Sequence, residues 1–464
     1  MRRVLWRPLR DRAADSGVIR TKSTSKCVLE HNPSGSGFPR EGQLEGEVMI
    51  WDSTKSSYKW IVLVGSFLVY MFDCLEVTVL SFVLPALSEE FAITPVTAGV
   101  LVTATLIGMG FSGPIIGFVA DNMGRKFALL TCLVVFVVLT AGIYLAPSVW
   151  IIMVMRFLAG VGLGGVWGVL AAYITETWPA RHRGKAIGVV MAAYPFGGAL
   201  AAQLSTLLLP NWRLLFLVAG ISAFIPLVVV LVLFRESEVW RQDRHNRREQ
   251  GQTEAAGFGE LFRDGRARLT VIASIVCSFA MVGFYGSNSW FPTYLAVERD
   301  FSQAEIGNHI TVMSMTSVVG FFVFGYLADY LGGKRAILVS LIGSGVMLFL
   351  YGFTSGKTLL WLVGPLFCFC MVLPGIYAPY ISSLYPARIR TTGAGFTYNI
   401  GRGISAFGPL VVGAIAEVFS FSVGIMIFGV LFAFATAFML MMPSVGKPVE
   451  KQPVVKDKEE AVAA

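Results

Sequence analysis

Charged residues are scarce in this sequence. Asp, Glu, Lys and Arg make up 14% of its 464 residues, whereas 55% are hydrophobic and the mean hydropathy is +0.68. Soluble globular domains carry about 25% charged residues, so this composition excludes an ordinary soluble protein. It is typical of a helical protein that crosses a membrane many times.

The sequence also lacks the patterns of catalytic and metal sites. It has no nucleotide-phosphate loop, no Ser/His/Asp arrangement and no cluster of metal ligands. All six cysteines except Cys27 lie in apolar segments, where they act as small hydrophobic residues, so we expect no disulfide. Cys368 and Cys370 form an isolated CxC that core packing explains. We therefore predict no enzyme activity, no cofactor and no metal. The net charge of +8 follows the loops, which argues against a nucleic-acid partner.

Twelve apolar blocks follow residue 58, and each is long enough to span a bilayer as a helix. The fold class predicted is therefore an all-α membrane protein with two six-helix repeats. The blocks are 59–86, 96–119, 127–147, 149–173, 185–209, 213–234, 269–294, 306–328, 336–354, 358–383, 391–418 and 421–442.

One long polar interruption, 235–268, divides the blocks into halves at 58–234 and 269–443. The tails, 1–57 and 444–464, are predicted to be cytosolic. The first tail has no apolar signal-peptide core, and Met49 is an alternative start to Met1.

Basic residues collect in the loops on one side of the predicted membrane. With the N-terminus inside, those loops hold seventeen Lys and Arg residues, whereas the opposite loops hold three. The positive-inside rule therefore places both termini in the cytoplasm. We expect a multi-pass monomer in the lipid bilayer of the cell (inner) membrane.

An internal repeat supports the division into halves. The sequence GFVADNMGRK at 117–126 recurs as GYLADYLGGKR at 325–335, and WPARHRGKAIG at 178–188 recurs as YPARIRTTGAG at 385–395. The two offsets differ by one residue, which indicates a duplicated six-helix unit. Parallel repeats with a site between them near the midplane are a transporter architecture.

Two acids interrupt the first apolar block. Asp73 and Glu76 are three residues apart and share one helix face. An ionised Asp near the middle of a spanning helix costs about 2.5–3.5 kcal/mol, and two adjacent carboxylates cannot both ionise cheaply. We therefore expect at least one to hold a proton, which predicts a proton-carrying or substrate-binding site. The alternative is a structural pair with a buried arginine.

Two arginines also lie within apolar blocks. Arg156 is predicted at a depth similar to that of Asp73, so we expect an Arg–Asp pair that loosens when Asp73 is protonated. Arg402 lies near the midplane with no acid at matching depth in its own half. Its guanidinium suits a carboxylate, so an anionic substrate is its predicted partner. The alternative is a pair with one of the acids of the first block.

Other residues inside the blocks are weaker candidates, because each also suits helix packing. The candidates for substrate contact besides Arg402 are Tyr194, Asn288, Tyr377, Tyr398 and Asn399. The glycines of RFLAGVGLGG are expected to allow close helix packing. Pro374–Gly375 and Gly408–Pro409 are expected to bend their helices.

The repeated loops are predicted to form a gate whose contacts break when the halves rock. Their acids can accept hydrogen bonds from a neighbouring helix N-terminus, and their basic residues can anchor the cytosolic side. A role in topology alone is the alternative. The predicted gating residues are Gly117, Asp121, Gly124, Arg125, Lys126, Glu176, Arg183, Asp329 and Arg335.

Several of these motifs, in order, resemble the major facilitator superfamily. GFVADNMGRK is similar to its signature loop, RFLAGVGLGG to its Arg-and-glycine motif, and RESEVW at 235–240 to the Pro-Glu-Ser motif of sugar-porter-like members, with Arg235 in place of Pro. MFDCLEVTVLSFVLPAL, SNSWFPTYL and YNIGRG resemble the aromatic-acid and sialate proton symporters. In such families the arginine at position 156 is implied to serve proton coupling or helix packing.

The sequence thus predicts a proton-coupled symporter that imports a small organic anion by alternating access. Its partners would be the anion, protons and lipid. A neutral-sugar porter or an efflux antiporter for drugs or metabolites is the alternative within the same class. A substrate sensor with a transporter fold is the rival from another class. It would be expected to carry a long ordered cytosolic domain, whereas the predicted tails are short.

Overall fold

The computed structural model describes residues 53–241, 261–263, 266–385 and 390–444. Throughout these ranges the chain is helical, with no β-strand. Both predicted tails lie almost wholly outside the described residues, as does most of the predicted linker. The helices are α1 (Ser53–Phe91), α2 (Pro95–Met123), α3 (Arg125–Gly142), α4 (Val149–Thr177), α5 (Ala180–Met191), α6 (Ala193–Leu208), α7 (Trp212–Ser222), α8 (Phe224–Leu233), α9 (Ala267–Asn288), α10 (Phe291–Glu298), α11 (Gln303–Leu331), α12 (Gly333–Phe353), α13 (Lys357–Cys370), α14 (Leu373–Leu384), α15 (Arg390–Ser405), α16 (Gly408–Val418) and α17 (Phe421–Leu440).

Twelve helical segments of the described chain are long and apolar enough to cross a membrane. This confirms the predicted fold class, and most boundaries agree within a few residues. The largest differences are in the first and seventh spans. Helix α1 continues to Phe91, and the predicted block 269–294 is divided, because α9 ends at Asn288 and α10 begins at Phe291.

The predicted helix bends at proline are confirmed. The tenth span is interrupted between α13 and α14, just before Pro374, and the eleventh between α15 and α16, just before Pro409. Proline has no backbone N–H to donate to the preceding turn, so a new helix begins with proline in its first turn. Both breaks lie near the middle of their spans.

Helices α2 and α4 approach each other closely at small residues. A Cβ atom on Gly164 would lie 2.7 Å from the Met109 Cα atom, and one on Gly160 would overlap the backbone oxygen of Thr105. Membrane helices without a large apolar driving force between them gain stability from such backbone contact. The predicted packing role of these two glycines is therefore confirmed.

We expect Gly164→Ala to lower the free energy of unfolding by about 1–3 kcal/mol, because the added methyl group forces α2 and α4 apart. Gly168→Ala in the same helix is the matched control. No atom lies within 4 Å of its added Cβ, so the change should be neutral or stabilise by up to about 1 kcal/mol. Thermal unfolding of the purified variants in detergent measures both effects. Equal melting temperatures for the two variants would contradict the packing argument.

The two halves meet at one end of the bundle, which we call the closed end. There a Cβ atom on Gly99 would lie 2.8 Å from the Pro409 oxygen of the other half. Gln203 donates to Thr311 Oγ1 at 2.8 Å, and the Val96 backbone N–H donates to Glu417 Oε2 at 3.4 Å. All these contacts join one half to the other.

We call the opposite end of the bundle the open end. It carries the turns at Gly124 and Gly332. Positions 110, 113 and 117 of α2 and position 325 of α11 are glycines, and no atom lies within 4 Å of a Cβ placed on any of them. Among the described residues, no hydrogen bond or ion pair joins the halves here. The contacts between the halves that the described residues make are therefore concentrated at the closed end.

Candidate functional site

The two acids of α1 are both buried inside the bundle. Asp73 is 3% exposed and Glu76 is 0% exposed. Because they are three residues apart, their side chains leave the helix about 60° from each other. The two side chains can therefore point toward different neighbours.

Glu76 is paired with Arg156 within the first half. The Arg156 Nη2 atom lies 3.9 Å from Glu76 Oε2, and Arg156 Nη1 donates to the Glu76 backbone oxygen at 3.3 Å. The guanidinium carbon lies 4.5 Å from the ring centre of Phe216. Both charged side chains are 0% exposed. This is a sealed ion pair.

The prediction that Arg156 pairs with Asp73 is therefore wrong. Arg156 lies seven residues into α4, counted from the closed end. Helix α1 extends to Phe91, five residues beyond the predicted end of its block, so Asp73 lies deeper from that end than estimated. Glu76 is about 4.5 Å, less than one turn, nearer to the closed end, and it is the acid that reaches Arg156.

Arg402, on α15, is half-buried and lies among tyrosines. Tyr70, Tyr285, Tyr398 and Asp73 are near enough to interact with it electrostatically. Its Nη2 donates to the Met109 sulfur at 3.7 Å, and its buried Nε has no partner among the residues that the structure describes. A thioether is a weak acceptor, so most of the donor capacity of the guanidinium is unused.

No carboxylate of the described residues forms an ion pair with Arg402. The nearby Asp73 is outside ion-pair distance, and its buried Oδ1 has no hydrogen-bond partner in the described part of the chain. The alternative prediction, a fixed pair between Arg402 and an acid of α1, therefore fails in this conformation. The arrangement is a buried cation and a buried acid that influence each other without direct contact.

A cavity lies between the halves, and three of its tyrosines interact electrostatically with Arg402. Its walls come from α1, α5 and α6 of the first half and from α9, α11, α13, α14 and α15 of the second. The aromatic wall residues are Tyr70, Tyr194, Phe284, Tyr285, Phe321 and Tyr398.

Three of the six predicted substrate residues, Tyr194, Asn288 and Tyr398, line this cavity. Arg402 does not line it, but three of its tyrosines are near enough to interact with Arg402 electrostatically. Asn399 is exposed and donates to the Gly395 oxygen of its own helix at 2.9 Å. Tyr377 is buried away from the cavity and donates to the Ala273 oxygen.

Several cavity residues were missed by sequence reasoning, including Tyr70, Tyr285 and Phe321. Aromatic residues are frequent in apolar spans, so these three carried no signal of their own. Tyr285 lies three residues before Asn288, on the same helix face. That spacing could have identified it.

The loop between α2 and α3 holds a network within the first half. Arg125 lies 3.0 Å from Asp121 and 3.3 Å from Glu176. Gly124 adopts a φ of 107°, a conformation that favours glycine. The carboxylate of Glu236 accepts hydrogen bonds from the Arg125 and Lys126 backbone N–H groups, at 2.7 Å from Arg125, and so caps α3.

The other predicted gating residues also contact only their own half. Lys126 Nζ donates to the Leu231 oxygen at 2.8 Å, and Arg183 Nε to the Trp178 oxygen at 3.0 Å. Asp329 and Arg335 are exposed, with no ion pair among the described residues. Gly117 faces open space. In this conformation no described contact of these residues crosses between the halves.

Two six-helix halves with a cavity between them are typical of secondary transporters. The sequence matches the Major Facilitator Superfamily over residues 66–406 and 300–463. The chain belongs to this superfamily, whose members are transporters rather than enzymes.

Two relatives come from Acinetobacter baylyi. Its cis,cis-muconate transport protein is 30% identical over 382 residues, which cover 80% of this chain and 92% of the relative. Its benzoate transport protein is 27% identical over 402 residues, which cover 79% and 85%. The fold is similar to that of a D-xylose–proton symporter, with a TM-score of 0.71 at 18% identity over 84% of this chain and 99% of that structure. The resemblance to organic-acid transporters of the superfamily is thus confirmed.

Proposed function

We propose that this protein is a proton-coupled symporter that imports a small organic anion by alternating access. The observation that carries the proposal is Arg402. It is a permanently charged group inside the membrane, next to a cavity between the halves, and no acid of the described residues is in ion-pair contact with it. An anionic substrate supplies the missing partner.

The identity of the relatives supports an anionic substrate. A muconate transport protein and a benzoate transport protein are both named for carboxylates. The aromatic walls of the cavity suit the body of such a molecule, and the guanidinium suits its carboxylate.

The position of Asp73 supports coupling to protons. When Asp73 is ionised, its charge compensates that of Arg402, and a second anion gains little by approaching. When Asp73 is protonated, Arg402 is left with an uncompensated charge in a medium of low dielectric constant, and the substrate carboxylate is strongly attracted. Proton and substrate therefore bind together. Glu76 and Arg156 hold α1 against α4 and transmit the change to the rest of the first half.

The open end is assigned to the cytoplasm, because the basic loops predicted to face inward lie there. The conformation is then inward-facing. In the opposite state, the contacts of Gln203 and Glu417 at the closed end break. The loops containing Asp121 and Asp329 would then approach the other half and form the cytosolic gate.

Uptake by the purified protein in liposomes, with an imposed pH gradient, tests this proposal. We expect a radiolabelled carboxylate such as benzoate to accumulate when the outside is acidic, and accumulation to stop when a protonophore collapses the gradient. Hexose uptake in place of carboxylate uptake would instead indicate a sugar porter. If labelled substrate enters only in exchange for unlabelled substrate loaded inside the liposomes, and pH has no effect, protons take no part in the mechanism.

A further inference from the structure

A second cavity lies directly beside the main one. Its empty volume is about 390 Å³, and it is lined by residues of α1, α2, α6 and α9. Thr78, Tyr194, Tyr285 and Asn288 line both cavities. These four side chains are a shared wall between a larger chamber next to Arg402 and a smaller chamber farther toward the closed end.

The smaller chamber is polar but uncharged. Besides the shared wall, it is lined by the hydroxyl groups of Ser81, Thr105 and Ser289 and by four aliphatic side chains. The Ser289 hydroxyl donates to the backbone oxygen of Tyr285 at 2.7 Å, so the hydroxyl oxygen can still accept a hydrogen bond. None of the residues lining either chamber is charged.

Asn288 is the most versatile group of the shared wall. Its carboxamide has no hydrogen-bond partner among the described residues. It offers two donors and one acceptor oxygen, so it can bind a hydroxyl or an amide of a ligand. Thr78, by contrast, already donates to the Cys74 oxygen at 2.7 Å.

We propose that the smaller chamber is a distal subsite for an uncharged hydrogen-bonding group of the substrate, with Asn288 as the residue that recognises it. The substrate class is then a monocarboxylate whose far end carries a hydroxyl or an amide. This inference rests on the proposed function, since it takes the carboxylate to be held at Arg402.

A second carboxylate is disfavoured at the distal position. Arg402 is committed to the first carboxylate, and Arg156 is sealed against Glu76. A charge in the smaller chamber would lose its hydration without gaining a cation. The site should therefore reject dicarboxylates, in contrast to what is expected of a muconate carrier.

Four benzoates that differ only at the 4-position test the proposal: benzoate, 4-hydroxybenzoate, 4-carbamoylbenzoate and terephthalate. Each is measured as a competitor of labelled benzoate uptake in proteoliposomes. One added hydrogen bond should make the hydroxy and carbamoyl compounds bind about 2- to 10-fold more tightly than benzoate. Terephthalate has almost the shape of the carbamoyl compound, and it should bind at least about 10-fold more weakly than that compound.

Asn288→Leu should remove the preference for the hydroxy and carbamoyl compounds while benzoate is still transported. Asn122→Leu is the matched control, because Asn122 lies at the open end and donates to the Phe118 oxygen of its own helix; its preferences should equal those of the wild type. The distal subsite would be overturned if terephthalate binds as tightly as 4-carbamoylbenzoate, or if the preference survives in Asn288→Leu. Either result would leave the proposed function standing. If no benzoate of the series competes or is taken up, the proposed function itself fails.

Discussion

Replacing Arg402 by alanine is expected to abolish transport of the organic anion. A charge-assisted contact to a carboxylate in a buried site is worth about 2–5 kcal/mol, so uptake at low substrate concentration should fall about 30-fold or more. Arg402→Lys keeps the charge but loses the planar fork, and we expect an intermediate defect. Initial uptake rates over a range of substrate concentrations in proteoliposomes measure both effects.

Arg213→Ala provides the control for the loss of an arginine. Arg213 lies at the closed end, half-exposed, 2.7 Å from Glu90, and takes no part in either cavity. Its loss should change uptake little, because exposed ion pairs contribute about 1 kcal/mol or less. Full anion uptake by Arg402→Ala at wild-type expression would contradict the site and favour the efflux alternative, in which an apolar cavity suffices.

Arg402 and the acids of α1 were predictable from the sequence because their cost inside a membrane leaves few explanations for their presence. The partner of Arg156 was not predictable from the sequence. Depth counted from predicted helix ends carries an error of several residues, whereas Asp73 and Glu76 differ in depth by less than one turn. An error in the end of α1 was enough to select the wrong acid.

Which tyrosines line the cavity was also not predictable from the sequence. Tyr377 and Tyr398 both lie in apolar spans, yet one packs against α9 and the other lines the cavity. Their difference arises from how the helices of the second half are rotated about their own axes when they pack together, and no local sequence pattern records that. The breaks at Pro374 and Pro409 were predictable, since they follow from the chemistry of single residues.

Asp73→Asn is expected to separate substrate binding from proton coupling. The amide cannot ionise, so Arg402 remains available to the substrate at every pH. Exchange of labelled for unlabelled substrate across the membrane should therefore persist within about 3-fold of the wild-type rate, a difference below 1 kcal/mol. Accumulation driven by an acidic exterior should be lost. In the wild type, uptake rises as the external pH falls, because protonation of Asp73 exposes the charge of Arg402; in the variant this dependence should be flat.

Glu76→Gln should behave differently, although the two acids are only three residues apart. It leaves Arg156, which is 0% exposed, without its partner, and the loss of one member of a buried ion pair costs about 3–5 kcal/mol of stability. We therefore expect a lower melting temperature and poor expression, partly restored when Arg156→Gln is added because two neutral amides can bond to each other. Should Asp73→Asn be the unstable variant and Glu76→Gln the stable, uncoupled one, the two acids would have exchanged roles, and the proton site would belong to the sealed pair rather than to the cavity beside Arg402.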